Sequence, residues 1–338
     1  MGSDQHFRKP AEIADQRPGN VDLTPFNPPW WLPGGHLQTI AASLFPPPRV
    51  PLRRERWDTP DGDFVDVDFC GDPAAAKQLV LFHGLEGGSD SHYARAMAAH
   101  VVKRGWRLAM PHFRGCSGEP NRTRRAYHSG DSEEVDWMLE RLRGPRGEPL
   151  YAMGVSLGAN MLLKWLGERG EAAGARVRRA AAVSAPVDFA AAGDALDRGL
   201  NRILYVRHFL STMKPKALAK LEVFPELYDR ERVKAARTFR EFDNLVTAPL
   251  HGFRDTDHYW SAAACGPYLQ QIRVPTLLLN ARNDPFLPER DLLEATRRAA
   301  PCVVLEFPRA GGHAGFLTAP FPGRHDWLPQ HLFEFLDP

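Results

Sequence analysis

One serine stands in a setting that is typical of nucleophilic catalysis. Ser156 is the centre of the pentapeptide Gly154-Val155-Ser156-Leu157-Gly158, which follows a short apolar run and opens an amphipathic pattern. Roughly one sequence in ten of this composition would contain G-x-S-x-G by chance, so the flanking patterns are needed for the inference. A strand that turns sharply into a helix exposes the serine hydroxyl and directs the positive end of the helix towards it. The pattern therefore predicts a nucleophile at a strand-to-helix turn.

A serine hydroxyl attacks a carbonyl carbon only when a base takes its proton and an acid orients that base. In folds that use this turn, the acid follows a later strand and the histidine comes last in the chain. Asp284 follows the apolar run 276–280, and His313 lies between glycines after the run 303–307. The predicted triad is therefore Ser156, Asp284 and His313.

Other residues could fill two of these roles. Asn283-Asp284-Pro285 is also a turn signal, so the aspartate could be a turn residue without a role in catalysis. Most isolated histidines in proteins are surface or core residues, and this chain has 13 of them. His251 and His325 are the alternative bases, whereas the position of His313 after a strand favours His313.

The oxyanion hole should consist of two backbone N–H groups, one after the nucleophile and one after an earlier strand. The first is that of Leu157, and the second is predicted to be that of Leu85 in the loop 83–88. The chain contains neither G-x-x-x-x-G-K-[ST] nor G-x-G-x-x-G, which argues against a nucleotide-binding loop. The histidines lack metal-ligand spacing, so neither a metal nor another cofactor is expected.

Two further groups have less specific signals. Cys116 lies in the loop after the run 106–110, and nothing in its sequence setting lowers the pKa of a thiol, so a structural role is expected. Arg122, Arg124 and Arg125 could attract an anionic substrate, but such a run is more often a solvated face.

The catalytic residues need a sheet whose strands end beside one another. Apolar runs without alternation occur at 79–82, 106–110, 150–155, 180–184, 276–280 and 303–307. Such runs suit strands that are buried on both faces of a parallel sheet. Residues 53–69 alternate around a Pro60-Asp61-Gly62 turn and predict a hairpin. The sequence therefore indicates an α/β fold built from right-handed βαβ units.

Two helices and three parts of the chain can be predicted. Apolar residues at helical spacing predict one helix after a capping box of Asp131 and Glu134, and another directly after Gly158.

Residues 1–52 are rich in proline and predict an irregular arm that packs on the core. The core should comprise 53–187 and 266–338, with a helical cap inserted at 188–265.

Composition excludes several classes of protein. Apolar residues make up 43% and charged residues 25%, which argues against a disordered chain. The formal net charge of +2 over 338 residues gives no general attraction to nucleic acid. No apolar run approaches the length of a membrane span, and the first residues lack a signal-peptide pattern. The four cysteines lie far apart, so a cytoplasmic protein without disulfide bonds is expected.

Several motifs together resemble the α/β-hydrolase superfamily, and more narrowly its YheT-type members, whose eukaryotic relatives are lipases and ester synthases. The motifs are His36-Leu37-Gln38-Thr39, His83-Gly84-Leu85-Glu86-Gly87, Phe113-Arg114-Gly115-Cys116-Ser117-Gly118, Tyr127-His128-Ser129-Gly130-Asp131, Ser156-Leu157-Gly158-Ala159-Asn160-Met161, Arg240-Glu241-Phe242-Asp243 and Asp284-Pro285-Phe286-Leu287-Pro288. The resemblance implies an α/β-hydrolase fold with a helical cap, and hydrolysis of carboxylic esters by Ser156, Asp284 and His313. Ala159 departs from the glycine that many relatives have there, and the membrane segment of some eukaryotic relatives is absent.

The predicted function is hydrolysis of a small-molecule carboxylic ester through an acyl-enzyme. The predicted cap has 12 basic and 11 acidic residues as well as many aromatic ones, which favours an uncharged ester of short or medium chain. Two alternatives stay open. The same triad would serve an acyltransferase or ester synthase that uses an alcohol as acceptor, and a non-catalytic binding protein could retain the fold. The sequence leaves the oligomeric state undetermined.

Overall fold

The protein is described by a computed structural model that covers residues 23–143 and 147–338. Within these ranges eight strands form one sheet in the order β1-β2-β4-β3-β5-β6-β7-β8. The strands are β1 (Arg53–Asp58), β2 (Phe64–Gly71), β3 (Gln78–Phe82), β4 (Arg107–Pro111), β5 (Leu150–Val155), β6 (Val177–Val183), β7 (Thr276–Leu279) and β8 (Val303–Glu306). Strand β2 runs antiparallel to β1 and β4, and the other neighbours are parallel. The predicted mostly parallel sheet is confirmed.

Helices cover both faces of this sheet because its central strands are apolar on both sides. In β3, Val80 and Phe82 pack with helices α3 (Ser132–Leu142) and α4 (Leu157–Arg169) on one face. Leu79 and Leu81 pack with helices α2 (His92–Lys103) and α13 (Trp327–Leu336) on the other face. The α-helices of the described residues are α1 (Gly35–Leu44), α2 (His92–Lys103), α3 (Ser132–Leu142), α4 (Leu157–Arg169), α5 (Phe189–Leu196), α6 (Gly199–Asn201), α7 (Arg207–Val223), α8 (Arg230–Ala235), α9 (Phe239–Phe242), α10 (Ala248–Leu250), α11 (Thr256–Ala263), α12 (Glu289–Thr296) and α13 (Trp327–Leu336).

The capping box predicted for α3 is only half formed. The Asp131 carboxylate accepts a hydrogen bond from the Glu134 backbone N–H at 3.3 Å, as expected of an N-cap residue. The Glu134 carboxylate instead accepts from Arg114 Nε at 2.6 Å, and the Asp131 N–H donates to the His128 carbonyl oxygen. The reciprocal half of the prediction is therefore wrong, because a buried arginine binds the glutamate.

Helices α5 to α11 all lie between β6 and β7 in the chain, within the interval predicted as the cap. Two π-helical turns, Arg202–Val206 and Asp243–Thr247, interrupt them. These helices share an apolar cluster of their own, which includes Val206, Phe242 and Trp260. Every helix in the described ranges is too short or too polar to cross a bilayer.

The described part of the predicted arm, from residue 23 onwards, packs against the core. Leu23, Phe26 and Val50 contact the apolar cluster that includes α2 and α13. The prediction that the arm is irregular is wrong for Gly35–Leu44, which form helix α1 between the proline-rich stretches. This helix contributes Ala41 and Ala42 to a small cluster elsewhere on the core. Residues 1–22 lie outside the described residues, and the division into arm, core and cap stays a prediction.

Candidate active site

Ser156 occupies a sharp turn between strand β5 and helix α4. Its backbone has φ 55° and ψ −120°, a conformation that costs a residue with a side chain about 1–3 kcal/mol. The Ser156 N–H donates to the Val183 carbonyl oxygen at 2.8 Å, and its carbonyl oxygen accepts from the Asn160 N–H at 3.0 Å. These bonds hold the serine at the carboxyl edge of the sheet, immediately before the first turn of α4.

Both glycines of the pentapeptide are required by close approach of backbone atoms. A Cβ on Gly154 would lie 2.4 Å from the Gly158 carbonyl oxygen. A Cβ on Gly158 would lie 2.3 Å from the Phe82 carbonyl oxygen. Because contacts this short do not occur, the turn admits only glycine at these positions.

His313 and Asp284 are joined by a direct hydrogen bond. His313 Nδ1 lies 2.9 Å from Asp284 Oδ2, and Asp284 Oδ1 accepts from the Phe286 N–H at 2.8 Å. The Phe286 ring stacks on the imidazole at a centroid distance of 4.0 Å. A carboxylate at Nδ1 selects the tautomer with its proton there, which leaves Nε2 free to accept a proton.

Ser156 and His313 line the same cavity, whose volume is about 640 Å³. No hydrogen bond joins the serine hydroxyl to the imidazole within the described residues, and such bonds often tighten only when substrate binds. The segment between β6 and β7, predicted as the cap, supplies apolar and aromatic walls, which include Phe209, Met213, Phe224, Tyr228, Phe239, Phe242, Val246, Tyr259 and Trp260. The structure thus places a serine, a histidine and apolar walls around one cavity.

The two residues whose backbone N–H groups are predicted to form the oxyanion hole, Leu85 and Leu157, line this cavity as well. Leu157 is the first residue of α4, and Leu85 follows β3. Neither N–H donates a hydrogen bond within the part of the chain that the structure describes. The loop approaches the nucleophile closely, since a Cβ on Gly84 would lie 3.2 Å from Ser156 Cβ. Two unpaired donors beside the serine can hold a negatively charged oxygen.

Helix α1 holds the loops that carry the acid and the base. Gln38 Oε1 accepts from the Gly311 N–H at 2.8 Å and from Asn283 Nδ2 at 3.0 Å. Thr39 Oγ1 accepts from the His313 N–H at 2.8 Å. Neither these contacts nor the helix was predicted, since the segment was expected to be irregular. The one signal was the His36-Leu37-Gln38-Thr39 motif, which is too specific for a free linker.

Two more contacts fix α1 on the site. A Cβ on Gly35 would lie 1.9 Å from the Asn283 carbonyl oxygen, so the helix begins in direct contact with the aspartate loop. His36 Nδ1 lies 3.0 Å from the Tyr205 hydroxyl, and the Tyr205 ring packs edge-on against Phe286 at 4.7 Å. Helix α1 and the segment between β6 and β7 therefore meet beside the loop that carries Asp284 and Phe286.

Comparison with known proteins identifies the family. A family model described as the alpha/beta hydrolase fold matches residues 77–320. The chain belongs to this family. This α/β hydrolase is 37% identical over 315 residues to the candidate esterase YheT of Escherichia coli (strain K12), with 89% of each chain covered, which confirms the YheT-type resemblance.

Two other similarities agree with this assignment. The α/β hydrolase is 28% identical over 298 residues to the mouse (Mus musculus) phospholipase ABHD3, which covers 86% of this chain and 72% of that protein. The solved structure of the Pyrococcus furiosus esterase Pf2001 superposes with a TM-score of 0.55 at 19% identity, covering 86% of this chain and 96% of that one. The latter similarity shows the shared fold.

The alternative histidines of this α/β hydrolase have different surroundings. His325 Nε2 contacts the Phe45 carbonyl oxygen at 2.8 Å. The His251 ring lies 4.4 Å from that of His128. Burial, and to a smaller extent the neighbouring His128 imidazole, lowers the pKa of His251 to about 3. Among the histidines of residues 23–143 and 147–338, His313 is the one that both binds a carboxylate and lines the cavity.

The less specific candidates of the α/β hydrolase do not form a second reactive centre. Burial raises the pKa of the Cys116 thiol to about 12, so it stays protonated near neutral pH. The arginines each contact a carboxylate: Arg122 contacts Asp58, Arg124 contacts Glu226 and Arg125 contacts Asp131. Over the described ranges, no cluster of three or more His, Cys, Asp or Glu residues is arranged to hold a metal ion.

Proposed function

We propose that this α/β hydrolase is a serine carboxylesterase with Ser156 as nucleophile, His313 as base and Asp284 as the acid that orients it. The observation that carries the proposal is the 2.9 Å hydrogen bond between His313 and Asp284, with His313 lining the cavity that Ser156 also lines. The names of the relatives, a candidate esterase and a phospholipase, support an ester as substrate.

Acylation would begin when Ser156 Oγ attacks the ester carbonyl carbon and its proton passes to His313 Nε2. Asp284 stabilises the imidazolium, and the N–H groups of Leu85 and Leu157 bind the negatively charged carbonyl oxygen. When the tetrahedral intermediate collapses, the alcohol leaves with the proton from His313. The acyl group then remains on Ser156 as an ester.

Deacylation would repeat these steps with water as the nucleophile. His313 takes a proton from water, the hydroxide attacks the acyl-serine carbonyl carbon, and the proton returns to Ser156 Oγ as the carboxylic acid is released. Every proton transfer uses a side chain already at the site, so this chemistry requires no cofactor.

The cavity supports an uncharged ester as the substrate. Its volume is about 640 Å³. One water molecule takes up roughly 30 Å³ in the liquid, so the cavity can hold about twenty non-hydrogen atoms. The aromatic and aliphatic cap walls favour an acyl chain over a charged group. A cavity of this volume favours an ester of short or medium chain.

A panel of p-nitrophenyl esters from acetate to palmitate tests the proposal. Wild type should hydrolyse them with kcat/KM highest for short or medium chains, and Ser156→Ala should lose at least about 10⁴-fold in kcat. Ser211→Ala is the matched control, since the Ser211 hydroxyl donates to the His208 carbonyl oxygen on the exposed face of α7. A peak at palmitate would overturn the chain-length proposal.

The same assay separates the remaining functions. Added ethanol should leave the free acid as the main product of a hydrolase, whereas a dominant ethyl ester would indicate acyl transfer. A wild type that hydrolyses no ester and resists fluorophosphonate labelling would indicate a binding protein that retains the fold.

A further inference from the structure

Glu86 lies next to the predicted oxyanion donor Leu85 and has a backbone conformation that a glutamate rarely adopts. Its φ is 55°, within a turn closed by a 3.0 Å hydrogen bond from the Gly87 N–H to the Gly84 carbonyl oxygen. Leu85 and Glu86 are the two central residues of this turn. A strained residue persists only when its surroundings hold it, so the contacts of Glu86 determine where the Leu85 N–H points.

Tyr127 holds Glu86 from the core side. The Glu86 N–H donates to the Tyr127 hydroxyl at 3.2 Å, and this hydroxyl donates to Glu86 Oε1 at 2.9 Å. The Tyr127 ring stacks on Phe113 at a centroid distance of 5.6 Å. Burial raises the pKa of Tyr127, so the phenol keeps the proton that it donates.

Lys216 holds Glu86 from the cap side. Its Nζ lies 2.7 Å from Glu86 Oε2, and the glutamate side chain is only 7% exposed. Without the lysine, the carboxylate would keep its hydrogen bond from Tyr127 but lose its opposite charge, which is costly for a buried anion. Glu86 would then move outwards and turn the peptide that carries the Leu85 N–H. The ion pair thus connects α7 to the turn formed by residues 84–87, which carries the Leu85 N–H and is called the oxyanion turn below.

A second contact of α7 supports the same connection. Lys220, one helical turn after Lys216, donates from Nζ to the carbonyl oxygens of Thr123 at 2.6 Å and Arg125 at 3.1 Å. These residues precede Tyr127 in the same loop. Helix α7 therefore binds both the oxyanion turn and the loop whose tyrosine supports it.

We propose that Glu86 is a positioning residue, whose ion pair with Lys216 and hydrogen bonds with Tyr127 aim the Leu85 N–H at the oxyanion. The docked cap completes the oxyanion hole through Lys216. This inference rests on the proposed ester hydrolysis, because only a reaction with a developing oxyanion uses that N–H.

Glu86→Gln tests the inference because it keeps the size of the side chain and removes the charge. Loss of one oxyanion donor lowers kcat by about 10²–10³-fold, so a misdirected donor should lower it by about ten- to a hundredfold. KM should change by less than about threefold, since the donor acts mainly on the transition state. Lys216→Met should have the same effect, and Lys216→Arg should restore much of the activity.

The double variant and a control test whether the two residues act as one unit. Glu86→Gln combined with Lys216→Met should lose no more activity than the more damaging single change, because both break the same pair. Lys214→Met is the matched control on the same helix, since Lys214 Nζ donates to the Lys234 carbonyl oxygen within the cap. It should retain wild-type kcat and KM.

A trifluoromethyl ketone provides a readout that a structural defect would not mimic. Ser156 Oγ adds to the ketone carbon, its proton passes to His313, and the ketone oxygen becomes an anion in the oxyanion hole. Affinity for this inhibitor should fall by the same factor as kcat/KM in the Glu86 and Lys216 variants. Affinity for the matching methyl ketone, which adds far less readily, should stay unchanged.

Three results would overturn the inference. Wild-type kcat in Glu86→Gln, equal losses of affinity for both ketones, or a control variant as impaired as Lys216→Met would each exclude a specific effect on the oxyanion. Failure of the proposed function looks different, because wild type itself would then neither hydrolyse esters nor react with a fluorophosphonate. In that case the positioning role falls with the proposed function.

Discussion

Replacing Gln38 with leucine should separate the two catalytic loops from the helix that holds them. The Gln38 side chain is 3% exposed and makes three hydrogen bonds. It accepts from the Gly311 N–H and from Asn283 Nδ2, and its Nε2 donates to the Leu32 carbonyl oxygen at 3.0 Å. Leucine has a similar size but can form none of these bonds.

The expected loss of stability follows from the groups left without partners. Each buried donor or acceptor without a partner costs about 1–3 kcal/mol, and three such groups give about 3–6 kcal/mol after allowance for partial exposure. Burial of the leucine side chain returns about 1–2 kcal/mol. Gln38→Leu should therefore lower the free energy of unfolding by about 3 kcal/mol. Because the Gly311 N–H lies two residues before His313, kcat should also fall by about ten- to a hundredfold.

Urea denaturation and p-nitrophenyl ester kinetics together measure both effects. Leu37→Ala on the same helix is the matched control, since this side chain is 52% exposed and should change stability by less than about 1 kcal/mol. KM should stay close to that of wild type in both variants. A Gln38→Leu protein with wild-type stability and kcat would refute the view that α1 positions the aspartate and histidine loops.

Two further substitutions test the proposed acid of the triad and a buried carboxyl between β6 and β7. Asp284→Asn should lower kcat by about 10³–10⁴-fold with little change in the melting temperature, because an amide no longer selects the tautomer of His313 with its proton at Nδ1. A kcat for ester hydrolysis above a tenth of the wild-type value would contradict this role. Burial raises the pKa of Asp243 to about 6, above the value of about 3.9 that an aspartate has in an unfolded chain. Between these two pH values the folded state holds a proton that the unfolded state has lost. The free energy of unfolding of wild type should therefore fall as the pH rises from about 4 to 6. Asp243→Asn should remove that part of the pH dependence, on the order of 3 kcal/mol. Parallel plots of stability against pH for the two proteins, measured in urea, would show that the carboxyl is not responsible.

The sheet and the turn at Ser156 could be predicted because local sequence determines them. Strands such as β5 are continuous apolar runs. Gly154 and Gly158 mark the turn, because any larger residue at these two positions would clash with backbone atoms. The order of the motifs along the chain then placed Asp284 and His313 after β7 and β8, and the structure joins these two side chains by a hydrogen bond.

The contacts that hold the site could not be predicted because they join residues far apart in sequence. Gln38 and Gly311 are separated by 273 positions, and no local pattern relates them. The same holds for Lys216 and Glu86, which meet only when α7 of the cap lies over the oxyanion turn.

Buried charges were also missed. Asp66 and Asp68 alternate with apolar residues in β2 and read as a polar face, yet both are almost fully buried. Asp66 pairs with Arg56 at 2.8 Å, and Asp68 pairs with Arg54 at 2.7 Å, from the neighbouring strand β1. Only the register between the two strands reveals these partners, which sequence alone does not give.

Formation of an acyl group on Ser156 is the most direct test of the proposed mechanism. Wild type mixed rapidly with p-nitrophenyl butyrate should release a burst of about one nitrophenolate per active site, provided that deacylation is slower than acylation. Acid quenching followed by mass spectrometry should locate the butyryl group on the peptide containing Ser156, and Ser156→Ala should show neither burst nor adduct. An adduct on another residue, or equal turnover by Ser156→Ala, would contradict the mechanism.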